Sequence, residues 1–268
     1  MQKRIISGIV IVIVSCIVLY FGGYVTGAVM LGLSLIGEFE LMRVYQLEKS
    51  EMGWLVYIST VLYYVLLMFA DRSLILPFMI IFLLLVLAMY VITFPKFTDH
   101  EMQHTFLAFF YVAVMLSYVY QLRQMKNGLI LVLLIAICSW GNDTLAYFTG
   151  VTIGKHKMSP KLSPKKSVEG LIGGIVGAGL LGGLFGLLFG RKFVPNHYVL
   201  WFVLIGAVGA IPAVIGDLTA SAIKRNNKIK DYGKLIPGHG GVLDRFDSVI
   251  FVAPIIYYLV YAIIQRYM

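Results

Sequence analysis

Between Ser221 and Asp247 the chain reads SAIKRNNKIKDYGKLIPGHGGVLDRFD, and this stretch carries most of its reactive side chains. Lys224, Arg225, Lys228, Lys230 and Lys234 supply cations, while Asp231, Asp244 and Asp247 supply carboxylates. The run PGHGG from Pro237 to Gly241 offers a backbone that can turn tightly and approach a ligand closely, because glycine reaches positive φ without strain. Hard oxygen ligands beside cations suit a polyphosphate held with Mg2+, which keeps waters and takes one or two carboxylates plus substrate phosphates. A solvated linker accounts for the charges. It does not account for cations, a glycine turn and carboxylates at Asp-x-x-Asp spacing occurring together between two long apolar runs.

Further acids and lysines extend the set. Asp217, Ser221 and Lys224 are spaced i, i+4 and i+7, so on a helix they share one face. They suit a metal–phosphate complex, or they neutralise one another. Asn142 and Asp143 interrupt an aliphatic run that begins near Leu129. An Asp at mid-bilayer costs roughly 2.5–3.5 kcal/mol on insertion scales. Asp143 lies on the order of 22 Å along its helix from Gly128, near one membrane face, and with Asn142 it is expected to line a wet cavity. The segment GKHKMSPKLSPKKSVEG follows, with Lys165 and Lys166 just before a helix start. Pro160 and Pro164 exclude a regular helix there, and Ser167 is a candidate N-cap. Lysines beside a helix amino terminus make an anion site, where orphan N–H groups add to the point charges. His239 reads as a hydrogen-bond donor in the glycine turn, and no His/Cys set supports zinc.

The positions Ser221, Lys224-Arg225, Lys230-Asp231, His239-Gly240-Gly241 and Asp244-Arg245-Phe246-Asp247 resemble the signature of the phosphatidate cytidylyltransferases, the CDP-diacylglycerol synthases. Ser163-Pro164-Lys165-Lys166-Ser167-x-Glu169-Gly170 is similar to a second element of that family. The signature covers roughly a tenth of the chain and departs nowhere from the pattern. The resemblance implies CTP and phosphatidate as substrates and CDP-diacylglycerol and pyrophosphate as products. Under it, Asp217, Asp244 and Asp247 hold Mg2+, with room for a second cation. Lys224, Arg225, Lys230 and Arg245 neutralise phosphates, and Asp143 is an acid on the nucleotide side. Asn142, Lys165, Lys166, Ser221, Asp231, His239, Gly240 and Gly241 complete the substrate contacts. Two rivals remain on sequence: a CTP-using polyprenol or dolichol kinase, and a transporter whose acids line an ion path.

These groups need a scaffold, and composition says it is a membrane one. Hydrophobic residues make up 60 % of the chain and charged residues 13 %, against about 25 % charged in a soluble domain. The expectation is an all-α, polytopic helix bundle. Nine apolar runs reach or approach spanning length: residues 5–21, 24–41, 54–70, 74–94, 105–122, 129–148, 171–189, 198–221 and 249–264. The first is read as a retained anchor rather than a signal peptide. Sixteen of the 22 Lys and Arg residues fall on the amino-terminal side of these spans. The positive-inside rule then puts the amino terminus in the cytoplasm and the carboxyl terminus outside. The net charge of +9 follows largely from topology and needs no nucleic acid as partner. Cys16 and Cys138 lie inside spans as packing residues.

The expected division is a scaffold over residues 1–127, with a role in lipid entry, and a catalytic part over 128–268. Glu38, Glu40 and Arg43 read as a helix end reaching the interface, and Asp99 to His104 as a solvated turn. Gly170, Gly174, Ala178, Gly182, Gly186 and Gly190 recur every four residues, a ridge that lets another helix approach closely. Its partner is left open between a helix of the same chain and a second protomer in a homodimer. Gly206, Gly209, Pro212 and Gly216 suggest a kinked or broken eighth span. Short loops point to a bacterial plasma membrane.

Overall fold

A computed structural model describes residues 2–236, 238 and 240–264. The chain is helical: α1 (Gln2–Phe21), α2 (Gly23–Val44), α3 (Glu51–Phe69), α4 (Ile75–Ile92), α5 (Asp99–Arg123), α6 (Gly128–Ile153), α7 (Val168–Phe189), α8 (Tyr198–Asn226) and α9 (Leu243–Ile264). Each helix overlaps one expected apolar run. Among the described residues, eight are long and apolar enough to cross a membrane, and Val10–Phe21 of α1 is a shorter apolar stretch. Backbone in lipid must satisfy its own hydrogen bonds, which is why these runs are helices. The protein is an integral membrane helix bundle.

Two compact units account for the chain: Met1–Tyr120 with Asp231–Arg245, and Gln121–Lys230 with Phe246–Met268. In the first unit, polar side chains tie the helices together inside an apolar interior. Tyr63 pairs with Ser117 at 3.0 Å, and Ser34 with Tyr64 at 2.9 Å. The Thr60 hydroxyl donates to Glu38 Oε1 at 2.6 Å. Phe82 and Phe109, both fully buried, pack with ring centroids 4.1 Å apart. The residues from Asp99 onward are helical, the start of α5 rather than a loop, with Asp99 and His100 exposed as expected. Thr98 caps that helix in a capping box with Glu101, which satisfies two orphan N–H groups at once.

In the second unit the glycine ridge has partners on two sides, both within the chain. Gly170 and Gly174 pack against α6, where an added Cβ would meet the Ala146 carbonyl and the Asn142 side chain. Gly182 and Gly206 bring α7 and α8 together, each facing the other helix's backbone. α8 runs unbroken through Pro212 to Asn226, so the expected break is absent. Residues 157–167, where a regular helix is excluded, form an antiparallel hairpin of β1 (Lys157–Ser159) and β2 (Ser163–Ser167). Prolines at 160 and 164 exclude helix but tolerate an edge strand.

Candidate active site

α6 delivers Asn142 and Asp143 just after a π-helical turn, Ile137–Gly141. Such turns are frequent at functional sites because they re-aim the residues that follow. Asn142 is fully buried, and its Nδ2 donates to Asp143 Oδ1 at 3.3 Å. Its Oδ1 has no hydrogen-bond partner. Asp143 is exposed beside it.

The hairpin delivers lysines to the same place. Ser167 caps α7 by accepting from Gly170 N–H at 3.1 Å, as the sequence suggests. Glu169 holds the hairpin's root: its carboxylate accepts the N–H of Lys155 at 3.0 Å and of His156 at 3.2 Å, and pairs with His156 Nδ1 at 2.6 Å. With its ends tied, β2 presents Lys165 and Lys166. Lys166 forms an ion pair with Asp217 of α8, and both are about three-quarters buried, with side-chain exposures of 26 % and 28 %. A largely buried pair keeps more of its Coulomb energy than a surface pair.

Asp247 reaches this group from α9. Asp143 and Asp247 each lie within electrostatic range of Asp217, and Asp247 within range of Lys224. Ser248, 3 % exposed, sits between Asp143 and Asp247 with its Oγ 3.4 Å from a carboxylate oxygen of each. Its backbone N–H donates to Asp247 Oδ1 at 2.8 Å. Gly216 permits this approach, since a Cβ there would collide with the Asp247 carbonyl. A cavity of about 560 Å³ opens beside the group. Asn142, Asp143, Lys165, Lys166 and Asp217 form its polar wall, and Tyr147, Val151 and Leu171 an apolar one.

The remaining expected residues stand apart from that cavity lining. Ser221 and Lys224 follow Asp217 along one face of α8, while Arg225 and Lys230 are exposed. Asp244 belongs to the first unit and closes the glycine loop. Its Oδ2 accepts Tyr232 N–H at 2.8 Å and Gly241 N–H at 2.9 Å. Ile236 N–H donates to the Gly240 carbonyl at 2.9 Å, and Gly238 and Gly240 take φ of 78° and 89°. Those two glycines are where the turn requires the left-handed region. Asp231 and Arg245 are exposed, Gly241 is buried, and His239 lies outside the described residues.

Glu38 and Glu40 do not reach water, although Arg43 beside them is exposed. Glu38 is fully buried and Glu40 is 3 % exposed. Glu40 accepts Val242 N–H and Leu243 N–H, each at 3.0 Å, and Arg43 Nη2 donates to the Tyr232 carbonyl at 2.7 Å. The sequence signal was two acids and an arginine in the last turns of an apolar span, where unpartnered charge is costly.

Among the described residues, no three His, Cys, Asp or Glu side chains are gathered as a metal cluster. The donors that do gather, carboxylates with a hydroxyl beside an open cavity, fit a cation that completes its shell with water and phosphate oxygens. They do not fit a closed protein cage.

A model of the cytidylyltransferase family matches residues 2–263. The phosphatidate cytidylyltransferase of Bacillus subtilis (strain 168) is 32 % identical over 265 residues, 97 % of each chain. This chain belongs to the phosphatidate cytidylyltransferase family. The family's enzyme from Thermotoga maritima is 32 % identical over 182 residues, 65 % of this chain and 67 % of its own. That from Haemophilus influenzae is 31 % identical over 138 residues, 52 % and 48 % of the two chains. By family membership the chain is a nucleotidyltransferase, with its relatives in bacteria.

Proposed function

We propose that the protein condenses CTP with phosphatidate to give CDP-diacylglycerol and pyrophosphate, on the cytoplasmic face of a bacterial plasma membrane. The observation that carries this reading is the Lys166–Asp217 ion pair set among Asp143, Asp247 and Lys165 at a cavity with one polar and one apolar wall. A lipid phosphate and a nucleotide triphosphate need that combination.

In the reaction, a phosphate oxygen of phosphatidate bonds to the α-phosphorus of CTP. The bond from that phosphorus to the oxygen bridging to the β-phosphorus breaks, and pyrophosphate leaves with the electron pair. The nucleophile is already ionised, so a strong general base is unnecessary. Transfers of this kind depend on positioning and charge neutralisation rather than covalent chemistry. Lys165 and Lys166 neutralise phosphate oxygens at the cavity, and Lys224 adds a cation one face along α8. Arg225 and Lys230 supply further positive charge for bound nucleotide. Asp217 and Asp247 are the carboxylates that would hold Mg2+, and Asp143 is held beside them by Ser248. When bound, that ion would draw negative charge from the phosphates at the reacting centre. Asp244, expected to share the cation, is assigned instead to closing the glycine loop, because its Oδ2 already accepts two backbone N–H groups. Tyr147, Val151 and Leu171 would take the apolar root of the lipid.

The test is product identity. Purified protein given CTP and phosphatidate in mixed micelles should release pyrophosphate and form CDP-diacylglycerol in equal amounts. Release of CDP, with phosphorylation of a polyprenol added to the same micelles, would make it a lipid kinase instead.

A further inference from the structure

The glycine loop is held by a side chain from far away in the sequence. Glu40 of α2 places its two carboxylate oxygens on the N–H groups of Val242 and Leu243, each at 3.0 Å. These are orphan donors at the start of α9, where an anion is favoured by both the free N–H groups and the helix dipole. Gly241 packs directly on the same carboxylate. The three atoms nearest to an added Cβ there all belong to Glu40. Gly241 does not take the positive φ of Gly238 and Gly240, so contact with Glu40, not backbone strain, is what excludes a side chain. Gly233 faces Glu40 Oε1 in the same way. One turn along α2, Arg43 fixes the Tyr232 carbonyl. Asp244 fixes the Tyr232 and Gly241 N–H groups.

We propose that Glu40 is a positioning residue for the reaction. It clamps residues 232–243 so that α9 begins in a single register, which fixes Asp244 and Arg245 in its first turn. Glu40 itself touches no substrate. The kinetic part of this inference rests on the proposed cytidylyl transfer. The clamping part does not.

The test uses the full chain in detergent micelles, as wild type, Glu40→Ala, Glu40→Gln, Gly241→Ala and the Glu40→Ala/Gly241→Ala double variant. Three readouts are taken: tryptic cleavage after Lys234, thermal unfolding, and kcat and KM for CTP. Glu40→Ala should speed cleavage after Lys234 on the order of tenfold or more, since two charge-assisted bonds are lost locally. The kcat should fall alongside, and Glu40→Gln, which keeps one acceptor oxygen, should recover part of both losses. Gly241→Ala should mimic Glu40→Ala, yet add less than about twofold in the Glu40→Ala background, because its clash partner is gone. Multiplicative effects in the double variant, or unchanged cleavage in Glu40→Ala, would overturn the proposal. So would a uniform rise in cleavage at every site with an equal fall in thermal stability. If Glu40→Ala does not fold, the single variants Glu40→Gln and Gly241→Ala carry the test, and unchanged cleavage after Lys234 in both would overturn the proposal. Loosening of the loop in a protein whose wild type transfers no cytidylyl group would sustain the clamp while removing the proposed function.

Discussion

Lys166, at the end of a short hairpin, forms its ion pair with Asp217, which sits two-thirds of the way along a 29-residue helix. Fifty residues separate them, and each is the other's nearest compensation for a largely buried charge. In the proposed reaction a phosphate would take the carboxylate's place on Lys166, freeing Asp217 for a cation.

Replacing that lysine should therefore affect catalysis more than folding. Lys166→Met is expected to lower kcat/KM for CTP by about 10²-fold, the usual cost of losing one preorganised donor to a transferring group. Lys166→Arg should retain more activity by keeping the charge. Steady-state kinetics with CTP as the varied substrate checks this.

Divalent cation should be obligatory. Turnover is expected to vanish on chelation with EDTA and to return on adding Mg2+. In Asp247→Asn, the Mg2+ concentration for half-maximal rate should rise at least about tenfold, as one oxygen ligand of a hard cation is lost. A metal titration of wild type and variant measures both.

The glycine ridge makes a prediction about stability alone. Gly206 and Gly182 face the opposing helix backbone, with no flexible side chain in between to yield. Gly206→Leu should therefore destabilise the second unit by about 1–3 kcal/mol, read as a lowered thermal midpoint in detergent. Gly8, with open space around it, should accept Ala without a measurable shift.

How much of this was legible beforehand depended on the range of the signal. The helices were, since apolar runs of spanning length have one outcome in lipid. The Ser167 cap was also legible, and so was the placement of Asn142 and Asp143 at a cavity, because a polar residue inside an aliphatic helix has few other uses. The hairpin was not: prolines say where helix stops, but strand pairing depends on Glu169 tying down Lys155 and His156. The role of Glu40 was also hidden. Its partners are 202 and 203 residues away, and no local periodicity encodes such a contact. The loop role of Asp244 was hidden as well. Asp-x-x-Asp spacing says that two carboxylates can face one way, not that Oδ2 of the first also accepts the Tyr232 and Gly241 N–H groups.

The orientation reading has its own check. In a chain with Cys16 and Cys138 replaced by Ala, a cysteine at Lys161 should react with an impermeant maleimide only from the cytoplasmic side. A cysteine at Lys192 should react only from the opposite side. Labelling of both from one side would contradict the positive-inside assignment.

The central claim is that Asp217 and Asp247 work on the reacting phosphates rather than merely balancing nearby lysines. Its most direct measurement is turnover of CTP with phosphatidate by folded, purified Asp217→Asn and Asp247→Asn proteins. A fall of at least about 10³-fold in kcat for each, with thermal stability retained, is the predicted result. Near-normal turnover in both would contradict it.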